Sequence, residues 1–145
     1  MSLKNLLGIS LDEVRVDKVH IAKLIAAAER NIADAQLHGL SNENRFDAAY
    51  KAIMQLAMLA LNANGFRTLT SKPGHHQTAI QTLQLTVGLA QPKVILLDAL
   101  RKQRNLADYS GDLVPDAIAV ECLNSAKELL VHLRAWLKAN KPELV

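Results

Sequence analysis

Aromatic side chains are scarce in this chain: two Phe, two Tyr and one Trp, 3% of the sequence. That scarcity argues against the stacking platforms on which single-stranded nucleic acids are held. The aromatic and Thr-rich runs typical of strands are missing too. One cysteine, Cys122, excludes an internal disulfide. Four Pro and six Gly are too few to separate domains, and most stand where a helix would start or stop. No basic-then-apolar leader opens the chain, and no uninterrupted apolar run reaches the roughly eighteen residues of a membrane span. The expectation is a cytoplasmic protein with no membrane partner. No Gly-rich phosphate loop, catalytic carboxylate pair or Ser-His-Asp order is recognisable, and no cofactor is implied.

What the chain does have is aliphatic: half of its residues are hydrophobic, with Ala, Leu, Ile and Val supplying the core. Ala and Leu lie at the helix-forming end of the propensity scale. A length of 145 residues suits one domain, residues 1–145. Such a chain buries about two-thirds of its unfolded surface, enough to fold without a disulfide or structural metal. The net charge of +3, with a pI near 9.1, is mildly basic and not the dense Lys/Arg loading of a protein that lives on phosphate contacts.

Periodicity divides the chain into helices. Ile21, Leu24, Ile25, Ala28, Ile32 and Ala35 form one stripe on a 3.6-residue period, predicting a helix from about Asp12 to His38. Gly39 follows as a stop, and Ser41 or Asn42 can cap the next start. A second helix, from about Glu43 to Asn64, carries Phe46, Ala49, Tyr50, Ile53, Ala57, Ala60 and Leu61 at the same spacing, and Gly65 ends it. Phe66 to Gly74 reads as a loop. A third, shorter helix is predicted over His76 to Leu89, with Ile80, Leu83 and Val87. Pro92 fits the first turn of a fourth, which carries Val94, Leu97 and Leu100 inward and frays near Tyr109. After Ser110-Gly111-Asp112, a last helix from Pro115 to about Lys138 lines up Ile118, Cys122, Ala126, Leu129, Leu133, Trp136 and Leu137. Amphipathic helices on short connections pack as an all-α, up-and-down bundle of four to five helices.

Two features can carry chemistry, and a third residue is of a type that often does. Arg104 stands four residues after Leu100 and seven after Leu97, so it shares their inward face and must snorkel out or find acceptors. Asp108, one turn on, offers it an ion-pair partner, which gives a purely structural role: an Arg–Asp pair closing a helix end, with Tyr109 over the turn. His75 and His76 are adjacent at a predicted helix start. Helical neighbours diverge by about 100°, so they do not converge on one metal, but either can act as an acid–base or phosphate-facing group. Cys122, on an apolar stripe, reads as inert packing.

Three stretches, in this order, resemble the HEPN family (higher eukaryotes and prokaryotes nucleotide-binding), in its short stand-alone bacterial form. They are Asn44-Arg45-Phe46-Asp47-Ala48-Ala49-Tyr50-Lys51-Ala52, the Gly74-His75-His76 turn, and Arg104-Asn105-Leu106-Ala107-Asp108-Tyr109-Ser110. The resemblance spans about Leu24 to Lys138. It implies a helical bundle, commonly a homodimer, whose site forms where two Arg segments face each other across the dimer axis. It further implies a nucleotide or RNA ligand and a small nucleotidyltransferase as partner in a toxin–antitoxin-type pair. Many members cleave RNA with an Arg-x4-His motif. Here Tyr109 stands where that His belongs, and no histidine lies between Arg101 and Gly111. Arg104 is the candidate catalytic residue, and the candidate phosphate- or nucleotide-binding set is Arg101, Arg104, Asn105, Asp108, Tyr109, His75 and His76.

Three functions follow as expectations. The first is a HEPN-like binding module with a degenerate RNase motif. The second is a metal-independent ribonuclease toxin in which a histidine from another helix joins Arg104. The third is a helical interaction protein in which the Arg104–Asp108 pair only ties down a helix end. Tyr and Asp, with ordinary pKa values near 10 and 3.9, are poorly matched to moving the 2′-hydroxyl proton at neutral pH, whereas His is well matched.

Overall fold

A computed structural model of the protein describes residues 2–111 and 113–145, with position 109 described by its backbone alone. The helices are α1 (Lys18–Ala35), α2 (Asn42–Ala63), α3 (His75–Gln81), α4 (Leu83–Val87), α5 (Gln91–Ser110) and α6 (Asp116–Asn140). Two short strands, β1 (Leu11–Glu13) and β2 (Phe66–Thr68), complete the fold with 3-10 turns near both ends. The architecture is an all-α helical bundle. No helix among the described residues is long and apolar enough to cross a membrane.

The helix α2 is the central element. All seven residues of its predicted stripe are buried, and so are Ala52, Met54, Leu56 and Leu59 on its other sides. A helix apolar around most of its circumference must be surrounded. The partners α1 and α6 pack along it, contributing Ile21, Ala28, Ile32 and Ala35 from one and Cys122, Ala126, Leu129, Leu133 and Leu137 from the other. Leu24, Ile25, Ile118 and Trp136 are only half-buried at the rims of those stripes. The start of α2 is capped by Ser41, whose hydroxyl accepts from the Asn44 amide at 3.1 Å. Arg45, one turn in, donates from Nε to the Ala35 carbonyl at 2.9 Å, closing the end of α1 where helical carbonyls lack partners.

Three sequence expectations are corrected. The first helix starts at Lys18, not near Asp12, because Asp17 is its cap and accepts from the amides of Val19 and His20 at 2.9 and 3.4 Å. Upstream of it Leu11–Glu13 is extended and pairs antiparallel with Phe66–Thr68, which the sequence placed in a loop. Arg67 and Asp12 face each other across this ribbon at 3.0 Å. The helix expected over His76 to Leu89 is two helices. The Thr82 hydroxyl donates back to the carbonyls of Thr78 and Ala79, at 2.9 and 3.1 Å, a bond that competes with helix continuation. Gly88, at φ +66°, then ends α4 before Leu89.

Candidate nucleotide-binding cleft

The residues of α2 at positions 47, 50, 51, 54, 55 and 58 recur at intervals of three and four, so they form one face of the helix. That face opens on a cleft of about 450 Å³ bounded by α1, α3 and α5. Its apolar part is Leu24, Met54 and Met58; Asp47, Lys51 and Gln55 are polar groups set along it. From α5 come Arg104 and Asp108, and from α3 comes His76.

Tyr50 joins the three helices. Its ring stacks parallel to Phe46, with centroids 6.2 Å apart, which holds it against the core. On the cleft side the Arg104 guanidinium carbon lies 5.2 Å from the Tyr50 ring centre, a cation–π contact. The Tyr50 hydroxyl meets Nδ1 of His76 at 3.3 Å. Burial pushes the Tyr50 phenol up to about 12, so the hydroxyl keeps its proton throughout the ordinary pH range. His76 is held below its usual value, first by burial and then by the positive neighbours His75, Arg104 and Arg101. Asp47 is shifted the other way: burial raises its carboxyl, Asp108 adds to the rise, and Arg104 and Lys51 oppose it.

The arginine meets both expected fates at once. Asp108 lies 3.6 Å from Arg104 Nε, the ion pair that the i,i+4 spacing offered, while the guanidinium covers Tyr50. Its side chain is 36% exposed, so it remains reachable from solvent.

The other predicted residues are dispersed. Arg101 is bound to Asp98 at 2.8 Å with both side chains largely buried, and reaches the cleft only through its charge. Asn105 is exposed and borders a shallow groove with Lys102, Leu106 and Ser110. It does not share the cleft, because adjacent helical residues diverge by about 100°. His75 packs edge-to-face on His76, ring centroids 4.7 Å apart. The side chain of Tyr109 lies outside the described residues. Tyr50, Asp47 and Lys51 were not singled out as site residues. The signal for them was an acid and a base four apart, Asp47 and Lys51, on the helix face that also carries Tyr50. Burial pushes the Cys122 thiol up to about 12, and its Sγ contacts the Phe46 carbonyl at 3.8 Å, which is packing and not thiolate chemistry. Among the described residues no three His, Cys, Asp or Glu side chains gather at metal-ligand spacing.

Comparison of the chain with protein-family models, with curated proteins and with solved structures yields no match.

Proposed function

We propose that this protein is a HEPN-type module that binds the phosphate of a nucleotide or RNA in the Arg104 cleft and does not cut it. The observation that carries this reading is the bond between Tyr50 and His76. Among the described residues Nδ1 of His76 is the only hydrogen-bond partner of the Tyr50 hydroxyl. A half-buried hydroxyl that keeps its proton gives that proton to an acceptor, so we assign Nδ1 as acceptor and place the imidazole proton on Nε2. The lone pair a general base would need is then occupied. His76 offers an N–H donor beside the guanidinium of Arg104, a pairing suited to anion recognition and not to proton abstraction.

The two carboxylates set the affinity. Asp108 competes with any phosphate for Arg104, and Asp47 adds negative charge nearby, so binding is modest and salt-sensitive. The test is fluorescence anisotropy of labelled single-stranded RNA across a salt series. Binding that weakens with salt and drops about tenfold in Arg104→Ala supports the reading; binding indifferent to Arg104 removes the cleft from it.

The reading includes a homodimer and a small nucleotidyltransferase partner. Leu106 on α5 is 62% exposed, and Leu113, after the end of that helix, is 79% exposed; large apolar side chains this open are suited to burial against a second copy. Light scattering at micromolar concentration tests this: twice 15.9 kDa supports the dimer, and a clean 15.9 kDa species counts against it. Affinity purification of the tagged chain from its own cells tests the second partner, and failure to retain a nucleotidyltransferase removes that part. A second reading, the ribonuclease, draws on the meeting of His76 and Arg104 at one tyrosine. It requires the opposite tautomer of His76.

A further inference from the structure

Between α5 and α6 runs a groove of about 580 Å³ that shares no residue with the Arg104 cleft. Its volume falls within the roughly 300–1,000 Å³ of small-molecule sites. The floor is aliphatic, built from Leu89, Leu96, Leu97 and Leu129, and Val131, 69% exposed, forms an open apolar wall. Polar groups interrupt this surface, among them Ser125 and His132, whose Nε2 meets the Val87 carbonyl at 2.7 Å. Ser125 lines the groove, is only 6% exposed, and has no hydrogen-bond partner among the described residues. A serine inside a helix ordinarily returns its proton to the preceding turn. Among the described residues only the Thr86 hydroxyl is both fully enclosed and without a partner, so the Ser125 hydroxyl opens on the groove. At the rim stand Lys127, which has no ion-pair partner among the described residues, and the pair of Lys93 with Glu128 at 2.5 Å. Two ammonium groups against one carboxylate leave the rim one positive charge in excess.

We propose that this groove is a binding site for an amphipathic monocarboxylate, an acyl chain lying on the leucine floor with its carboxylate at Lys127. The apolar floor supplies most of the affinity. The excess rim charge selects the acid over a cationic amphiphile, and the Ser125 hydroxyl provides a donor that opens on the groove. The inference is separate from the cleft and stands or falls without it.

Calorimetric titration of the full chain with decanoate, and with decyltrimethylammonium as the charge-reversed probe of equal chain length, tests the proposal. Decanoate should bind and the ammonium bind at least about fivefold more weakly. Ala135→Trp, at an exposed position lining the groove, should weaken decanoate by about tenfold while leaving the circular dichroism unchanged. Lys127→Glu should abolish the preference for the acid. No decanoate binding, equal binding of both probes, or indifference to Ala135→Trp in a folded variant each overturns the proposal, and the last two point to non-specific adsorption.

Discussion

The guanidinium of Arg104 rests 5.2 Å from the ring centre of Tyr50, so the fifth helix is tied to the central one by a cation on an aromatic face. The tie is partly open to water, and a contact of this kind contributes about 0.5–1 kcal/mol. Arg104→Ala should therefore shift the urea midpoint only slightly while weakening RNA binding about tenfold. A loss above about 3 kcal/mol would mean that Arg104 holds the bundle together and that its loss of binding reports unfolding.

Tyr50→Phe separates the two partners of that ring. Phe keeps the stacking on Phe46 and a face for Arg104, and loses the hydroxyl bound to His76. Removing a donor that favours neutral imidazole should raise the His76 pKa toward its ordinary value, at a cost of about 1 kcal/mol in stability. Imidazole nitrogen shifts followed by NMR read this directly. Wild type should show the Nε2–H tautomer; a predominant Nδ1–H form contradicts the assigned bond.

The same shift has a pH signature. The folded pKa of His76 lies below 6.5, so the folded state resists protonation. Above the unfolded pKa both states are neutral and no penalty exists. As pH falls through about 6.5 the unfolded chain binds its proton first, and stability drops until the folded pKa is passed. His76→Gln should flatten this part of the stability profile between about pH 7.5 and 5, measured by urea midpoints. Equal slopes in both proteins would place the titration elsewhere.

Asp47 works with the opposite sign of shift. Its folded pKa is raised above 3.8, so its stability contribution is full below that value and is lost as pH rises through the folded pKa. At neutral pH the ionised carboxylate is a burden, and Asp47→Asn should raise the midpoint there. The gain should shrink on acidification and vanish below about pH 3.8. A variant less stable at pH 7 would show that Lys51 and Arg104 outweigh burial.

In the core, Leu133 and Leu129 of α6 are both buried, and truncation to Ala should cost roughly 2–5 kcal/mol. Leu133→Ala should be the costlier, because Leu129 borders the open groove whose walls can close over the gap. Unchanged midpoints for both would mean that α6 is not docked.

The helices were legible because each carries its own period, and α2 announced its stripe from Phe46 to Leu61. The Arg104–Asp108 pair was legible for the same local reason. What the sequence hid is what depends on partners far along the chain. Leu11–Glu13 becomes a strand only because Phe66–Thr68 returns beside it. The split of α3 from α4 rests on one hydroxyl of Thr82 bonding backward. In the cleft, His76 meets Tyr50 across 26 residues, and nothing local to either announces the meeting. Asn105 borders a different groove from its neighbour Arg104, since adjacent residues on a helix look in different directions.

Incubating metal-free protein with labelled single-stranded RNA, and resolving both the bound fraction and the strand length, tests the central claim most directly. The expected result is intact RNA, retained by wild type at low salt and lost in Arg104→Ala, with His76→Ala weakening retention and changing nothing in the strand. Robust cleavage by wild type that disappears in Arg104→Ala or His76→Ala would contradict the account and make the cleft the active site of a ribonuclease.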